Sequence, residues 1–120
     1  AADNTAVGST TLDSCTTGTR NTAVGATALT ALETGNDNVA IGYYALSSSS
    51  VDQLTAVGSG ALRDNLTGTQ NVAVGYNALN ANSTGNSNVA VGNNTLTINT
   101  LGSNNTAIGD QALTLNESFN

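Results

Sequence analysis

Small hydrophobic residues recur along this chain in short clusters at an almost constant interval. Each cluster belongs to a nine-residue unit that begins with Asn in six of seven copies and ends with Leu in all of them. The units start at residues 4, 21, 38, 54, 71, 88 and 105, so the interval is 17 residues with one step of 16. The third residue is always Ala, the fourth Val or Ile, and the fifth Gly. Such self-similarity at a fixed period indicates a repeat architecture.

The residues inside each unit predict a β-strand and not a helix. Thr, Val and Ile are β-branched and favour extended backbone, whereas each Gly would destabilise a helix interior by about 1 kcal/mol. Seventeen residues suit one coil of a solenoid. We therefore predict an all-β fold: a parallel β-solenoid of about seven 17-residue coils, forming a single domain over residues 1–120. Stacking at about 4.8 Å per coil gives a body roughly 35 Å long.

Side chains alternate between the two faces of a strand, so the second and fourth residues of each unit share one face and the invariant Ala occupies the other. We predict that the fourth residue, Val or Ile, faces inward together with the invariant Leu that follows the corner. The predicted core is Val7, Val24, Ile41, Val57, Val74, Val91 and Ile108, with Leu12, Leu29, Leu46, Leu62, Leu79, Leu96 and Leu113. The predicted structural turns at the corners are Gly8, Gly25, Gly42, Gly58, Gly75, Gly92 and Gly109.

Two polar elements of the repeat are predicted to shape the backbone. Most units follow a Gly that lies three residues before the Asn, where Gly permits the positive φ that tight turns often demand. The leading Asn side chains would stack from coil to coil and hydrogen-bond as an amide ladder. The predicted ladder consists of Asn4, Asn21, Asn38, Asn71, Asn88 and Asn105.

The fourth unit departs from this pattern. Leu54 replaces the leading Asn, one loop residue is missing, and four Ser followed by Val51 replace the Thr-Gly turn. A tolerated loop variant explains these changes. The alternative is a break in the ladder that presents a distinct loop to a ligand.

One chain offers little apolar volume per coil. The hydrophobic residues are almost all Ala, Val, Leu and Ile, with a single Phe and neither Trp nor Met. Burying four or five small side chains per coil offsets less free energy than ordering 17 residues costs. We therefore expect the chain to self-associate and to bury a second face. Because small residues let backbones approach closely, the invariant Ala face is the candidate for that contact.

Charge and composition narrow the possible chemistry. Eight Asp or Glu against two Arg and no Lys give a net charge of −6, which disfavours nucleic acid and anionic membranes as partners. With no His, a lone Cys15 and acidic residues in no shared register, we expect neither an enzyme nor a metal site. The Gly-rich turns lack the Lys or following helix of a nucleotide site, so we expect no cofactor. No stretch approaches the roughly 20 apolar residues of a membrane span, so we expect no direct membrane insertion.

Tandem NTAVG or NVAIG runs followed by a small-residue corner resemble the YadA-type head repeats of trimeric autotransporter adhesins. They are also similar to repeat arrays in tail or surface fibres of phages and large viruses. The resemblance covers residues 4–113 and places the Val or Ile named above in the core, with the following Gly at the corner. It implies a homotrimer of parallel β-rolls or β-helices on a fibre that projects from a virion or cell surface. The adhesin repeats are commonly shorter than 17 residues, and this is where the chain departs from them.

The function that we expect is non-enzymatic attachment of a fibre head or shaft module to a host cell or surface. A host receptor or a glycan would be the partner, and the absence of an initial Met suggests a fragment of a longer fibre protein. The two residues after each corner Gly vary between copies, and all three tyrosines lie there. Tyr43, Tyr44 and Tyr76 are therefore candidate receptor contacts; packing over neighbouring corners is the alternative.

Two other functions stay open. Flat Thr-rich faces of β-solenoids can order water, so an ice-binding solenoid is one alternative. The second position of the repeat holds Thr or Val without regular order, which favours a core-facing position over an ice-binding face. A purely structural spacer within a fibre is the other alternative.

Overall fold

The computed structural model describes residues 2–116, and within them the regular structure is all β. The strands are Thr5–Val7 (β1), Thr22–Val24 (β2), Val39–Ile41 (β3), Thr55–Val57 (β4), Val72–Val74 (β5), Val89–Val91 (β6) and Thr106–Ile108 (β7). Each strand pairs in parallel with the next, in the sheet order β1-β2-β3-β4-β5-β6-β7. The chain is thus a β-solenoid of about six turns, 36 Å long and 20 × 16 Å across.

The register places equivalent residues of successive repeats directly above one another. Ala6 pairs with Ala23, Ala23 with Ala40, and so on through Ala107, even across the 16-residue step between β3 and β4. Backbone hydrogen bonds between coils extend beyond the strands, as from the Gly42 N–H to the Val24 carbonyl at 2.8 Å. The missing loop residue therefore leaves the stacking intact.

The arm that follows each corner is a series of turns. In every described coil the invariant Leu lies in the left-handed region, with φ between 48° and 53°. The second residue after the corner Gly and the residue before the leading Asn also have positive φ in every coil. Extended pairing on this side is limited, among residues 2–116, to the parallel bridges Ala81–Ile98 and Ile98–Leu115.

The interior is lined by Ala and Leu. The Ala of strands β2 to β7 are at most 3% exposed, and a second set, Ala28, Ala45, Ala61 and Ala78, is fully buried. The Leu of the five internal coils are also fully buried: Leu29, Leu46, Leu62, Leu79 and Leu96. Leu12 is half-buried and Leu113 is 51% exposed, so the predicted core position of Leu113 is wrong. These two lie in the first and last described coils, each of which packs on a single described neighbour.

The predicted orientation of the strands is also wrong. Val7, Val24, Ile41, Val57, Val74, Val91 and Ile108 lie on the outer face, half-buried or exposed, and the invariant Ala faces inward. The alternation within each strand was predicted correctly, but not which face is the interior. The body is only 16 Å across its thinnest axis, and Leu and Asn side chains fill its interior. The space opposite these side chains has room only for a methyl group, which Ala supplies.

The two glycines of each repeat are required for different reasons. Corner glycines such as Gly75 have φ between 124° and 138°, a conformation that L-residues rarely adopt. Turn glycines such as Gly18 have no positive φ, contrary to the prediction. A Cβ at Gly18 would instead lie 2.5 Å from the Gly35 carbonyl oxygen of the next coil. Close approach between coils, not turn geometry, therefore selects Gly before the Asn.

None of residues 2–116 belongs to a helix long and apolar enough to cross a membrane.

Candidate functional site

The outer face of the sheet is a flat array of β-branched side chains. We call the first and third side chains of the seven strands the outward stripe: Thr5, Val7, Thr22, Val24, Val39, Ile41, Thr55, Val57, Val72, Val74, Val89, Val91, Thr106 and Ile108. Even in the middle of the solenoid, Ile41 is 40% exposed and Val74 is 37% exposed. The stripe contains no charged residue. It is an uncharged and largely apolar surface, ten Val or Ile with four Thr, built on the most regular part of the fold.

The leading Asn side chains form a ladder inside the solenoid, which we call the first Asn ladder. Asn38 Nδ2 donates to Asn21 Oδ1 at 3.0 Å, and Asn21 Nδ2 donates to Asn4 Oδ1 at 3.2 Å. Beyond Leu54 the same bonds join Asn88 to Asn71 and Asn105 to Asn88, both at 3.1 Å. The amides from Asn4 to Asn88 also donate to a turn carbonyl, as Asn21 does to Gly35 O at 2.8 Å. The ladder therefore fixes the turns to the strands.

A second Asn ladder, which the sequence reasoning missed, lies beside the first. It consists of Asn65, Asn82, Asn99 and Asn116, each donating from Nδ2 to the preceding member or, for Asn65, to Ser49 Oγ. The bonds between the Asn side chains are 2.7–3.0 Å long. The signal was visible as an Asn at every seventeenth residue in the last four units. It was overlooked because Cys15, Leu32 and Ser49 occupy the position earlier.

Leu54 ends the first run of the first Asn ladder. Its backbone N–H donates to Asn38 Oδ1 at 2.9 Å, and its own side chain is 1% exposed. Three residues before Leu54, Val51 takes the place of the turn Gly, and its carbonyl accepts a hydrogen bond from Asn38 Nδ2 at 2.8 Å. The irregular fourth unit is therefore an interior substitution of amide by hydrocarbon.

The three tyrosines lie together at the rim of one open groove. Tyr43 and Tyr76 are each 56% exposed, and the groove between them has a volume of about 490 Å³. The Tyr43 and Tyr44 rings meet edge to face, with centroids 4.4 Å apart. Polar residues of coil four, Arg63 and Asp64, also line the groove. The tyrosines were predicted from their positions in the repeat, but the groove and the ion pair that lines it were not.

The electrostatics of the surface come from local pairs. Arg63 donates from Nη2 to Asp64 Oδ2 at 2.7 Å, which raises the pKa of the guanidinium. A hydrogen bond with Tyr44 raises the pKa of Tyr43 above that of a free phenol, and desolvation raises it further by a smaller amount. On another face Arg20 donates to both carboxylate oxygens of Asp37, at 2.6 and 2.7 Å. The Arg20 hydrogen bond lowers the pKa of Asp37.

Other candidate chemistry is absent from the described part of the chain. Within residues 2–116 no group of three or more His, Cys, Asp or Glu could hold a metal ion. Cys15 is half-buried and packs against the hydrophobic core. Three of the Asn residues in N-x-S/T sequences, Asn65, Asn82 and Asn116, are buried in the second Asn ladder. Their side chains face the interior and are closed to glycosylation in the folded chain.

Comparison of the chain with protein-family models, with curated proteins and with solved structures gives no match. The resemblance to adhesin and fibre repeats therefore remains an interpretation of the sequence, and the functional argument depends on the geometry described above.

Proposed function

We propose that this chain is a non-enzymatic module of a surface fibre that self-associates through the outward stripe and attaches to a host cell or surface. The single observation that carries the proposal is the stripe itself. Fourteen uncharged, β-branched side chains form two unbroken rows along the length of a 36 Å rod. Contiguous apolar patches of this kind on soluble proteins mark interaction sites.

A second copy of the chain is the occupant that fits the stripe best. Its side chains repeat at the spacing of parallel strands, about 4.8 Å, and only a surface with the same repeat can match it over its full length. Among residues 2–116 the charged residues lie in the turns and arms and not in the stripe, so contact there brings no like charges directly together. Two copies would interdigitate row by row.

The sequence resemblance points to three copies and not two. Three flat stripes arranged around an axis enclose a common apolar core, and each chain then has two neighbours. This replaces the Ala face, first expected to form the contact, with the Val and Ile positions. The Ala lie inside each chain, so they hold the solenoid together and leave the stripe for assembly.

The fibre role is supported by the shape of the chain. Each additional 17-residue unit lengthens a solenoid by about 4.8 Å without changing its cross-section. Variable side chains project from the corners while the interior stays nearly constant. Such a rod can hold a contact surface at a distance from its anchor, on a virion or on a cell.

The test is the mass of the chain in solution, by sedimentation at micromolar concentration. We expect the mass of three chains for the wild type. Val74→Asp places a charge in the middle of the stripe and should shift the mass towards one chain. Thr84→Asp adds the same charge to an exposed turn residue of the same coil and should leave the mass unchanged. A wild-type mass equal to one chain would overturn the proposal.

Ice binding is a second candidate, because the structure contradicts the core-facing orientation that was expected for the second position, although Thr and Val still follow no regular order there. The second position of the repeat faces outward, so Thr5, Thr22, Thr55 and Thr106 lie in one row of a flat face and not in the core. This use of the stripe requires that no other chain cover it. A monomeric mass together with thermal hysteresis would favour ice binding, whereas an oligomer without hysteresis would exclude it.

A further inference from the structure

We propose that the groove between Tyr43 and Tyr76 is a binding site for one pyranose ring of a neutral glycan. The inference rests on the proposed attachment role and supplies the ligand class for it. None of the residues that line the groove belongs to the outward stripe, so the two surfaces can be tested separately. Its volume of about 490 Å³ is in the range of small-ligand sites.

Tyr43 and Tyr76 are spaced two coils apart along the solenoid. Both occupy the position directly after a corner Gly, in coils three and five. Gly60 N donates to Tyr43 O, and Asn77 N donates to Ser59 O, each at 2.9 Å, so coil four lies between them as one regular layer. Two layers separate the tyrosine backbones by roughly 9–10 Å. A flat aromatic ring needs about 7–8 Å between its two neighbours, so this interval suits a thicker, puckered sugar ring.

Coil four places only small side chains between the two tyrosines. It carries Ser59 and Gly60 where coils three and five carry Tyr43-Tyr44 and Tyr76-Asn77. Gly60 is the sole glycine among the residues that occupy this left-handed position in the described coils. A Cβ there would collide with Asn77 Oδ1. The missing side chain at Gly60 therefore lets Asn77 Oδ1 lie against the Gly60 backbone, and the slot lies over Ser59, the small residue between Tyr43 and Tyr76 in the same column.

The groove also has a polar lining whose groups are held in place by hydrogen bonds. Asn80 is buried and donates from Nδ2 to Gly60 O at 2.7 Å and to Asn77 Oδ1 at 3.3 Å, so both groups at the base of the slot are held in place. Arg63 donates from Nε and Nη2 to the same oxygen, Asp64 Oδ2. Among residues 2–116 no donor contacts Asp64 Oδ1, which is free to accept from a sugar hydroxyl. Exposed phenol faces and hydrogen-bonding side chains together match a sugar, which has C–H groups on one side and hydroxyls at its edge.

The charges at the groove favour a neutral sugar over an acidic one. Arg63 is the one cation at the groove, and its charge is already balanced by Asp64 at 2.7 Å. The chain as a whole carries a charge of −6. A carboxylate-bearing sugar would have to displace Asp64 from Arg63 and approach a negative surface.

The experiment uses the assembled chain on an array of neutral and sialylated oligosaccharides, followed by titration calorimetry with the best neutral ligand. Ser59→Tyr fills the slot with a side chain that the same position already holds in the coils above and below. We expect it to weaken binding at least tenfold, while Ser59→Ala stays within twofold of the wild type. Tyr76→Ala removes one wall from an exposed position and should also weaken binding at least tenfold.

The outcomes separate this inference from the proposed function. Ser59→Tyr should keep the wild-type mass, because it does not touch the outward stripe. A chain that forms the expected oligomer but binds no neutral oligosaccharide with a Kd below about 1 mM would overturn the glycan site alone. Binding restricted to sialylated ligands, or unchanged binding by Ser59→Tyr, would overturn it as well.

Discussion

The first three coils and the last four share one backbone but fill the same interior position differently. Cys15, Leu32 and Ser49 occupy it before the irregular fourth unit, whereas Asn65, Asn82, Asn99 and Asn116 occupy it afterwards. At Gly85 and Gly102 the turn carbonyl next to this position accepts two amides; Gly85 O, for example, accepts from Asn71 and from Asn82, each at 2.8 Å. In the second coil the turn residue Gly35 has an apolar neighbour, Leu32.

The comparison shows that this solenoid accepts two kinds of interior at the same place. A hydrocarbon side chain stabilises the coil by burial. A buried amide stabilises it only where every donor and acceptor finds a partner, and the residues described contain no buried side-chain N or O atom without one. A column of identical amides meets that condition because each member donates to the one before it. The second Asn ladder therefore works as a set, whereas Leu32 works alone.

The surfaces of the two regions differ in the same sense. The sequence from residue 65 to residue 109 contains no charged side chain. At the residue before the leading Asn, the early coils pair Arg20 with Asp37, and the later coils contact through Gln70 and Ser87, with Oγ to Oε1 at 3.4 Å. Stacking of like positions thus favours opposite charges or neutral amides, since like charges one coil apart would repel.

The largest effect is expected from breaking the second Asn ladder. Asn82→Leu removes two donated bonds, to Asn65 Oδ1 and Gly85 O, and the acceptor of Asn99 Nδ2. Since Leu32 occupies the equivalent position, the shape is tolerated and the loss comes from the three hydrogen bonds that Asn82 makes with its neighbours. We expect the free energy of unfolding to fall by about 3 kcal/mol, at about 1 kcal/mol for each lost hydrogen bond. Urea denaturation measures it; an unchanged midpoint would show that the amides contribute nothing net.

The reverse exchange should cost less. Leu32→Asn gives up the burial of one Leu but lets the new Nδ2 reach the Gly35 carbonyl, as Asn65 reaches Gly68 O. Ser49 can supply one partner for the new Oδ1, while Cys15 supplies none of comparable strength. We expect a loss of about 2 kcal/mol. The same denaturation assay ranks the two variants, and a larger loss for Leu32→Asn would contradict the distinction between a set of amides and a single side chain.

The smallest effect is expected at the surface pair. Asp37→Asn removes the carboxylate that Arg20 binds, but both side chains are about half exposed, so stability at pH 7 should change little. The pairing lowers the pKa of Asp37 in the folded chain. Its contribution is therefore present above the ordinary Asp pKa, about 3.9, and disappears as pH falls through the lower, folded value.

The measurement compares thermal midpoints at pH 7 and pH 3 for the wild type and Asp37→Asn, in low and high salt. The difference in thermal midpoint between the wild type and Asp37→Asn should be smaller at pH 3 than at pH 7, and smaller in high salt than in low salt. Gln70→Ala, at the equivalent position of the later coils, is the matched control and should show no pH dependence. A gap that widens at pH 3 would mean that another group responds.

Much of the candidate site follows from residue positions, and the part that does not has a physical cause. The variable pair after each corner pointed to Tyr43 and Tyr76, because exposure and variability go together in a repeat. The groove itself depends on what coil four lacks, a side chain at Gly60, and on how Asn80 holds Asn77. Contacts of that kind join residues from different coils, and spacing along the chain does not reveal their geometry.

The sequence by itself determined the period, the parallel stacking of like residues, the corner glycines and the first Asn ladder, because a fixed repeat with β-branched residues has few ways to pair. Only the tertiary structure decided which strand face is inside. Alternation makes the two faces distinct but does not orient them. That choice depends on the space left after Leu29, Asn21 and their equivalents fill a body 16 Å across its thinnest axis. The remaining room admits the Ala methyl, and the larger Val and Ile are left outside.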